Sequence, residues 1–154
     1  MADRHYNRQK IGASQFVPPG RCMVLLTDDA SALWVTSWPF AEYTHHHWAG
    51  AWMNSCFRNE GGDLSSALIA EAVCATRWWF DGPLPDQGMV TFVDAEKTRK
   101  KGHPGYCYRV LGFEHVGFTG SGLHALQLSP ARLVYFPPAS PRGAQQELFG
   151  LAII

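Results

Sequence analysis

No stretch of this chain approaches the roughly 20 consecutive apolar residues that a membrane span needs, so no membrane partner is expected. Neither charge dominates. Lys and Arg number 13, and so do Asp and Glu; overall charge therefore gives no support for nucleic-acid binding, and local clusters must carry that question. The four cysteines, Cys22, Cys56, Cys74 and Cys107, are far apart and form no C-x-x-C pair. In a chain of this size they read as reduced, mostly buried thiols ahead of disulfides or a zinc site. The charged opening has no apolar h-region, so no secretory signal is expected and the cytoplasm is the expected compartment. Internal repeats, low-complexity segments and domain linkers are missing too.

What is there suits a folded domain. Hydrophobic residues make up 46% of the 154 and charged residues 17%, enough to bury a core without staples. One domain is expected over 1–154, with an N-terminal segment at 1–20 and a tail at 137–154. Cys22–Thr27 and Leu33–Trp38 read as strands joined in a hairpin, and Ala51–Arg58 alternates as a third strand. Leu64, Leu68, Ile69, Ala72, Val73 and Thr76 recur near a 3.6 period, which predicts a helix to about Trp79 with Asp63 as its N-cap. Gly88–Val93 is a β-branched strand, and a short second helix opens near Pro104 and closes at Gly112. Val116–Phe118 and Leu123–Leu128 close a hairpin, Arg132–Phe136 reads as an edge strand, and 137–143 as a Pro-rich surface segment. The expected class is α/β with a mixed central sheet, a strand–turn–helix core and a C-terminal hairpin.

Several residues carry chemistry, each with a plain structural alternative. His5 and Tyr6 can move a proton or bind a metal, or belong to a frayed terminus. Asp94 ends a strand, where open α/β sheets place ligands, or it caps the turn that follows. Arg58 can grip a phosphate or carboxylate through its planar fork, or pair with Glu60. Ser66 lies one turn into the helix, facing a ligand or solvent. Tyr108 reaches a pocket or packs in the core. Lys97-Thr-Arg99-Lys100-Lys101 is a basic run, with Arg4, Arg8 and Lys10 a looser one; such runs are solvated loops or steer DNA phosphates. Trp48, Trp52 and Tyr6 are candidates for stacking on a base. Adjacent His45-His46-His47 splay apart on an extended chain and read as a loop, not a metal site. Cys107, with no His locally paired to it, reads as packing.

The strand–turn–helix unit, the turn Arg58-Asn-Glu-Gly-Gly-Asp-Leu-Ser-Ser66 and Tyr108-Arg-Val-Leu-Gly112-Phe113 resemble the GNAT N-acetyltransferase fold. In that family the turn and helix start hold a cofactor pyrophosphate and the tyrosine protonates a departing thiolate. Here Glu60 and Asp63 stand where the anion would sit. His5-Tyr6, Arg58, Ser66, Asp94 and Tyr108 together resemble the Mom-type DNA-modification proteins of bacteriophages, a GNAT-like group, over roughly residues 3–128. Asn7 departs from that group's His-Tyr-Ser, and the basic loop between Asp94 and Tyr108 is longer. The resemblance implies an enzyme that adds a small acyl-derived group to an exocyclic amine of a DNA base, adenine foremost, and so shields phage DNA from host restriction. It implies Asp94, Tyr108, His5 and Tyr6 as catalytic residues, and Arg58 and Ser66 as cofactor-binding. Double-stranded DNA would be the partner, met by Arg4, Lys97, Arg99, Lys100 and Lys101. Iron held by His5 and Asp94 is a further implied feature, the acyl donor stays open with acetyl-CoA one candidate, and the compartment would be the host bacterial cytoplasm. Two alternatives remain: an acetyl-CoA-dependent N-acetyltransferase acting on a small amine or protein, and a non-catalytic GNAT-like binding domain.

Overall fold

The computed structural model describes residues 5, 17–98 and 102–141. Six strands form one mixed sheet: β1 (Gly20–Leu26), β2 (Ala32–Pro39), β3 (Trp52–Asn59), β4 (Met89–Val93), β5 (Glu114–Phe118) and β6 (His124–Leu128). Their spatial order is β1-β2-β3-β4-β6-β5. Three helices accompany them: α1 (Ser65–Phe80), α2 (Tyr106–Arg109) and α3 (Pro130–Leu133). The α/β class and the element order up to β6 follow the sequence reading. No described helix is long and apolar enough to cross a membrane.

Neighbouring strands pair antiparallel except β3 and β4, which are parallel. A parallel pair needs a long crossover, and α1 supplies it. Its Ile69, Val73 and Phe80 bury against Trp34, Trp52, Met89, Leu126 and Leu128 in the main core. Two smaller clusters form from other residues of the sheet, Trp48, Ala51, Val90 and Ala125 in one and Leu33, Val35 and Cys56 in the other. Strand β2, central between β1 and β3, is buried at seven of eight positions, and its two polar side chains there, Thr36 and Ser37, meet the hydroxyls of Thr76 and Ser55.

Two sequence expectations change. Asp63 is not the cap of α1: the helix starts at Ser65 after Leu64, with no side-chain cap bond. Leu64 therefore precedes the spiral and stays exposed, while Ile69, Ala72, Val73 and Thr76 are buried as the period predicted. Asn59 organises the turn instead. Its Nδ2 donates to the Asp63 carbonyl and to Ser65 Oγ, and its Oδ1 accepts from the backbone of Gly61 and Gly62.

The expected edge strand at 132–136 begins as helix α3, with Pro130 in its first turn. Proline presets a helical φ at that position. Beyond the chain's local preference, Arg77 of α1 donates to the carbonyls of Leu133, Val134 and Phe136, satisfying the orphan acceptors of the helix end. That partner lies more than fifty positions away and no local pattern announces it. Residues 137–141 follow without regular structure, as expected, although Ala139 N–H donates to the Cys74 carbonyl.

All four cysteines are free thiols, Cys56 fully buried and the others partly so. Burial pushes the Cys56 thiol up to about 11. A thiolate is the reactive species, so Cys56 is expected to resist alkylation at pH 8 in the folded protein and to react once the chain is unfolded. Mass spectrometry of peptides labelled before and after denaturation checks this; labelling of folded Cys56 at the rate of an exposed thiol would contradict the burial.

Candidate functional site between β3 and β4

The parallel ladder is short. Trp52 pairs with Met89, Met53 with Val90 and Asn54 with Thr91, and no described pair joins the two strands beyond that point. From there β3 continues on β2 while Phe92 and Val93 continue on β6. The C-terminal ends of parallel strands are where open α/β sheets bind ligands.

A buried polar network fills the point where the ladder stops. Asn54, 2% exposed, sits on a strand whose Trp52 and Cys56 are also buried. Its Oδ1 accepts from the Tyr108 hydroxyl at 2.6 Å and the Thr91 hydroxyl at 3.1 Å. Its Nδ2 donates to the Val35 and Cys56 carbonyls at 3.1 and 2.9 Å. The Tyr108 ring packs edge-on against Phe57 and Phe113, with centroids 6.2 and 5.3 Å apart. Tyr108 is thus both a core side chain and a hydroxyl at the end of the ladder.

His5 is held on the same strand as Asn54, three residues along at Phe57. It is 9% exposed, so it is not a solvated tail residue. Its ring donates to the Phe57 carbonyl, and the charges bearing on it are those of Arg58 and Lys97. Burial first, then these two cations, push its pKa down to about 4, leaving the imidazole neutral near pH 7. Phe57 links the two groups, its carbonyl holding His5 and its ring touching Tyr108.

A base with a lowered folded pKa favours the native state while it is neutral. The seating of His5 is therefore fully stable above the unfolded value of about 6.5 and weakens as pH falls towards about 4. The whole span is worth on the order of 3 kcal/mol. NMR titration of the His5 ring should give a midpoint well below 6; a midpoint near 6.5 would mean that His5 is solvated.

The other expected residues divide. Arg58 forms an ion pair with Glu60, its structural alternative, while still acting on His5. Asp94 Oδ1 accepts from the Glu96 backbone at 3.0 Å and caps a single turn at Ala95–Lys97, so its turn role is filled. Ser66 is half-buried on the first turn of α1 and takes no part in the contacts around His5 or Tyr108 described above. Tyr6, Arg4, Arg99, Lys100 and Lys101 lie outside the described residues. Two stacking candidates are corrected: Trp52 is 1% exposed between Trp38 and Phe80, and Trp48 is 8% exposed beneath His46 and Phe92. Neither face is open to a base. His45 and His47 are exposed loop residues, whereas His46 packs its Nε2 against the Met53 sulfur at 3.2 Å.

Sequence reasoning missed Asn54 and Thr91. The one signal was an amide placed on the buried side of an alternating strand, Trp52-Met-Asn54-Ser-Cys56, where such a group must find partners.

Among the described residues no three His, Cys, Asp or Glu side chains come together, and the charges bearing on His5 are cationic. The turn before α1 does not fit a diphosphate. The N–H of Glu60 donates to the Ser31 carbonyl, and those of Gly61 and Gly62 donate to Asn59 Oδ1. The chain's own amide oxygen occupies the seat where an anion would be gripped.

The chain matches no protein-family model, and comparison with curated proteins and with solved structures gives no significant match.

Proposed function

We propose that this is a GNAT-like transferase of the Mom type, which adds a small acyl-derived group to an exocyclic amine of a DNA base. The observation that carries the reading is the parallel β3–β4 ladder that stops at Asn54 and Thr91, with the Tyr108 hydroxyl at its end and His5, under the charges of Arg58 and Lys97, held at Phe57 of the same strand. A neutral imidazole flanked by two cations suits an anionic group, a carboxylate on the donor or a phosphate of the nucleic acid. The donor is one that does not rely on a diphosphate grip at the Gly61–Gly62 turn. In the reaction the amine nitrogen forms the new bond to the transferred carbon and the leaving group departs with the old bonding pair. The proton released from the amine goes to a nearby base, and Asp94 at the end of β4 is our candidate. The base reaches this site only out of its stack, with Lys97 contacting the backbone.

Nucleoside mass spectrometry of host DNA tests this. On expression, one deoxynucleoside should gain mass, and the gain should disappear in Asp94→Ala. Tight acetyl-CoA binding with unchanged nucleosides would replace this reading with an N-acetyltransferase acting on another amine. Absence of both would leave a binding domain.

A further inference from the structure

We infer that Asn54 is a positioning residue that fixes the direction of the Tyr108 hydroxyl, so that Tyr108 meets its ligand as a hydrogen-bond acceptor. The two ends of the Asn54 amide are told apart by their neighbours. One end lies 3.1 Å from the Val35 carbonyl and 2.9 Å from the Cys56 carbonyl. Carbonyl oxygens only accept, so this end is the amino group. The oxygen is then turned to the hydroxyls of Tyr108 and Thr91. An amide oxygen also only accepts, so both hydroxyls donate to it. A phenol has a single proton. Once that proton is committed to Asn54, every further hydrogen bond at the Tyr108 oxygen is received and none is given.

The backbone supplies this arrangement through a bulge. Val35 pairs with Cys56 and Thr36 with Asn54, which leaves Ser55 as the extra residue on β3. The carbonyls at the bulge set the amide, and the amide sets the phenol. Asn54 and Thr91 are each 2% exposed and Tyr108 6%, so water does not compete strongly for these bonds. The consequence for the ligand rests on the proposed transferase reading. A group that keeps an N–H to give, such as an exocyclic amine, matches Tyr108 in its resting state; a leaving group in need of a proton does not.

The full-length protein labelled with [13Cζ]tyrosine tests this in an equal mixture of H2O and D2O. A hydroxyl proton held against exchange splits its Cζ line into two, and Tyr108→Phe assigns the line. The Tyr108 line should be split in the unaltered protein and in Thr91→Val, and single in Asn54→Ala. A single line in the unaltered protein, or a split that survives Asn54→Ala, overturns the inference. Should Asn54→Ala not fold, the unaltered protein decides it: the hydroxyl proton should show a nuclear Overhauser effect to the Asn54 β-protons, and one to a different acceptor residue overturns it. For the ligand, a single-stranded oligonucleotide containing adenine should shift the Tyr108 line at concentrations at least tenfold lower than one containing N6,N6-dimethyladenine. Equal responses overturn the acceptor role. No response to either, with the split intact, overturns the DNA reading and leaves the Asn54 orientation supported.

Discussion

Tyr108→Phe is expected to lower base modification about 100-fold, the scale of loss when a reacting group is no longer held in place. The fold should hardly notice. Phenylalanine keeps the ring contacts with Phe57 and Phe113, and the Asn54 oxygen still receives the Thr91 hydroxyl. The buried hydrogen bond to Asn54 is lost, a cost of about 1 kcal/mol. Nucleoside mass spectrometry and the denaturant midpoint, measured on the same preparation, separate the two effects. Modification at the normal level in a folded Tyr108→Phe protein would remove Tyr108 from the reaction.

The largest expected loss of stability comes from a residue with no side chain. Gly88 precedes β4 at φ +62°, and a Cβ there would fall on the Leu128 backbone oxygen. Its N–H donates to Pro85 and its carbonyl accepts from Trp52, so it is tied on both sides as well as crowded. Backbone oxygen in the β4–β6 ladder cannot swing aside as a side chain can. Gly88→Ala is expected to cost about 3 kcal/mol, from left-handed strain and overpacking together. Chemical denaturation measures it directly. A loss under about 1 kcal/mol would show that β6 accommodates the methyl group.

Much of this architecture was legible because it is periodic. The alternation in Ala51–Arg58, the helical spacing after the Gly61–Gly62 turn and the hairpin around Gly120 each announce an element from neighbours a few positions apart. What stayed hidden was long-range. Arg77 capping α3 joins residues more than fifty positions apart, and so does the bond from Tyr108 to Asn54. His5 shows the same limit in the candidate site. Locally it belongs to a polar opening with every mark of a solvated end, yet it has a buried seat against the Phe57 carbonyl, offered by a distant strand. Asp63 misled for a related reason. It has the composition of a cap, but Asn59 had already organised the turn. Trp48 and Trp52 were chosen as stacking surfaces for their chemistry, and burial removed them.

The parallel ladder also says something about how the molecule assembles. Strands β1, β2 and β3 form one antiparallel unit, and β4, β6 and β5 another. Pairs within β1–β3 lie at most 27 positions apart, whereas β4 and β6 pair across 31 to 39 positions and three pairs 37 positions apart join β3 to β4 across the α1 crossover. Contacts of long sequence separation must overcome loop-closure entropy first, so they tend to consolidate late in folding. The candidate site lies on that seam, and it is complete only when the two half-sheets have docked.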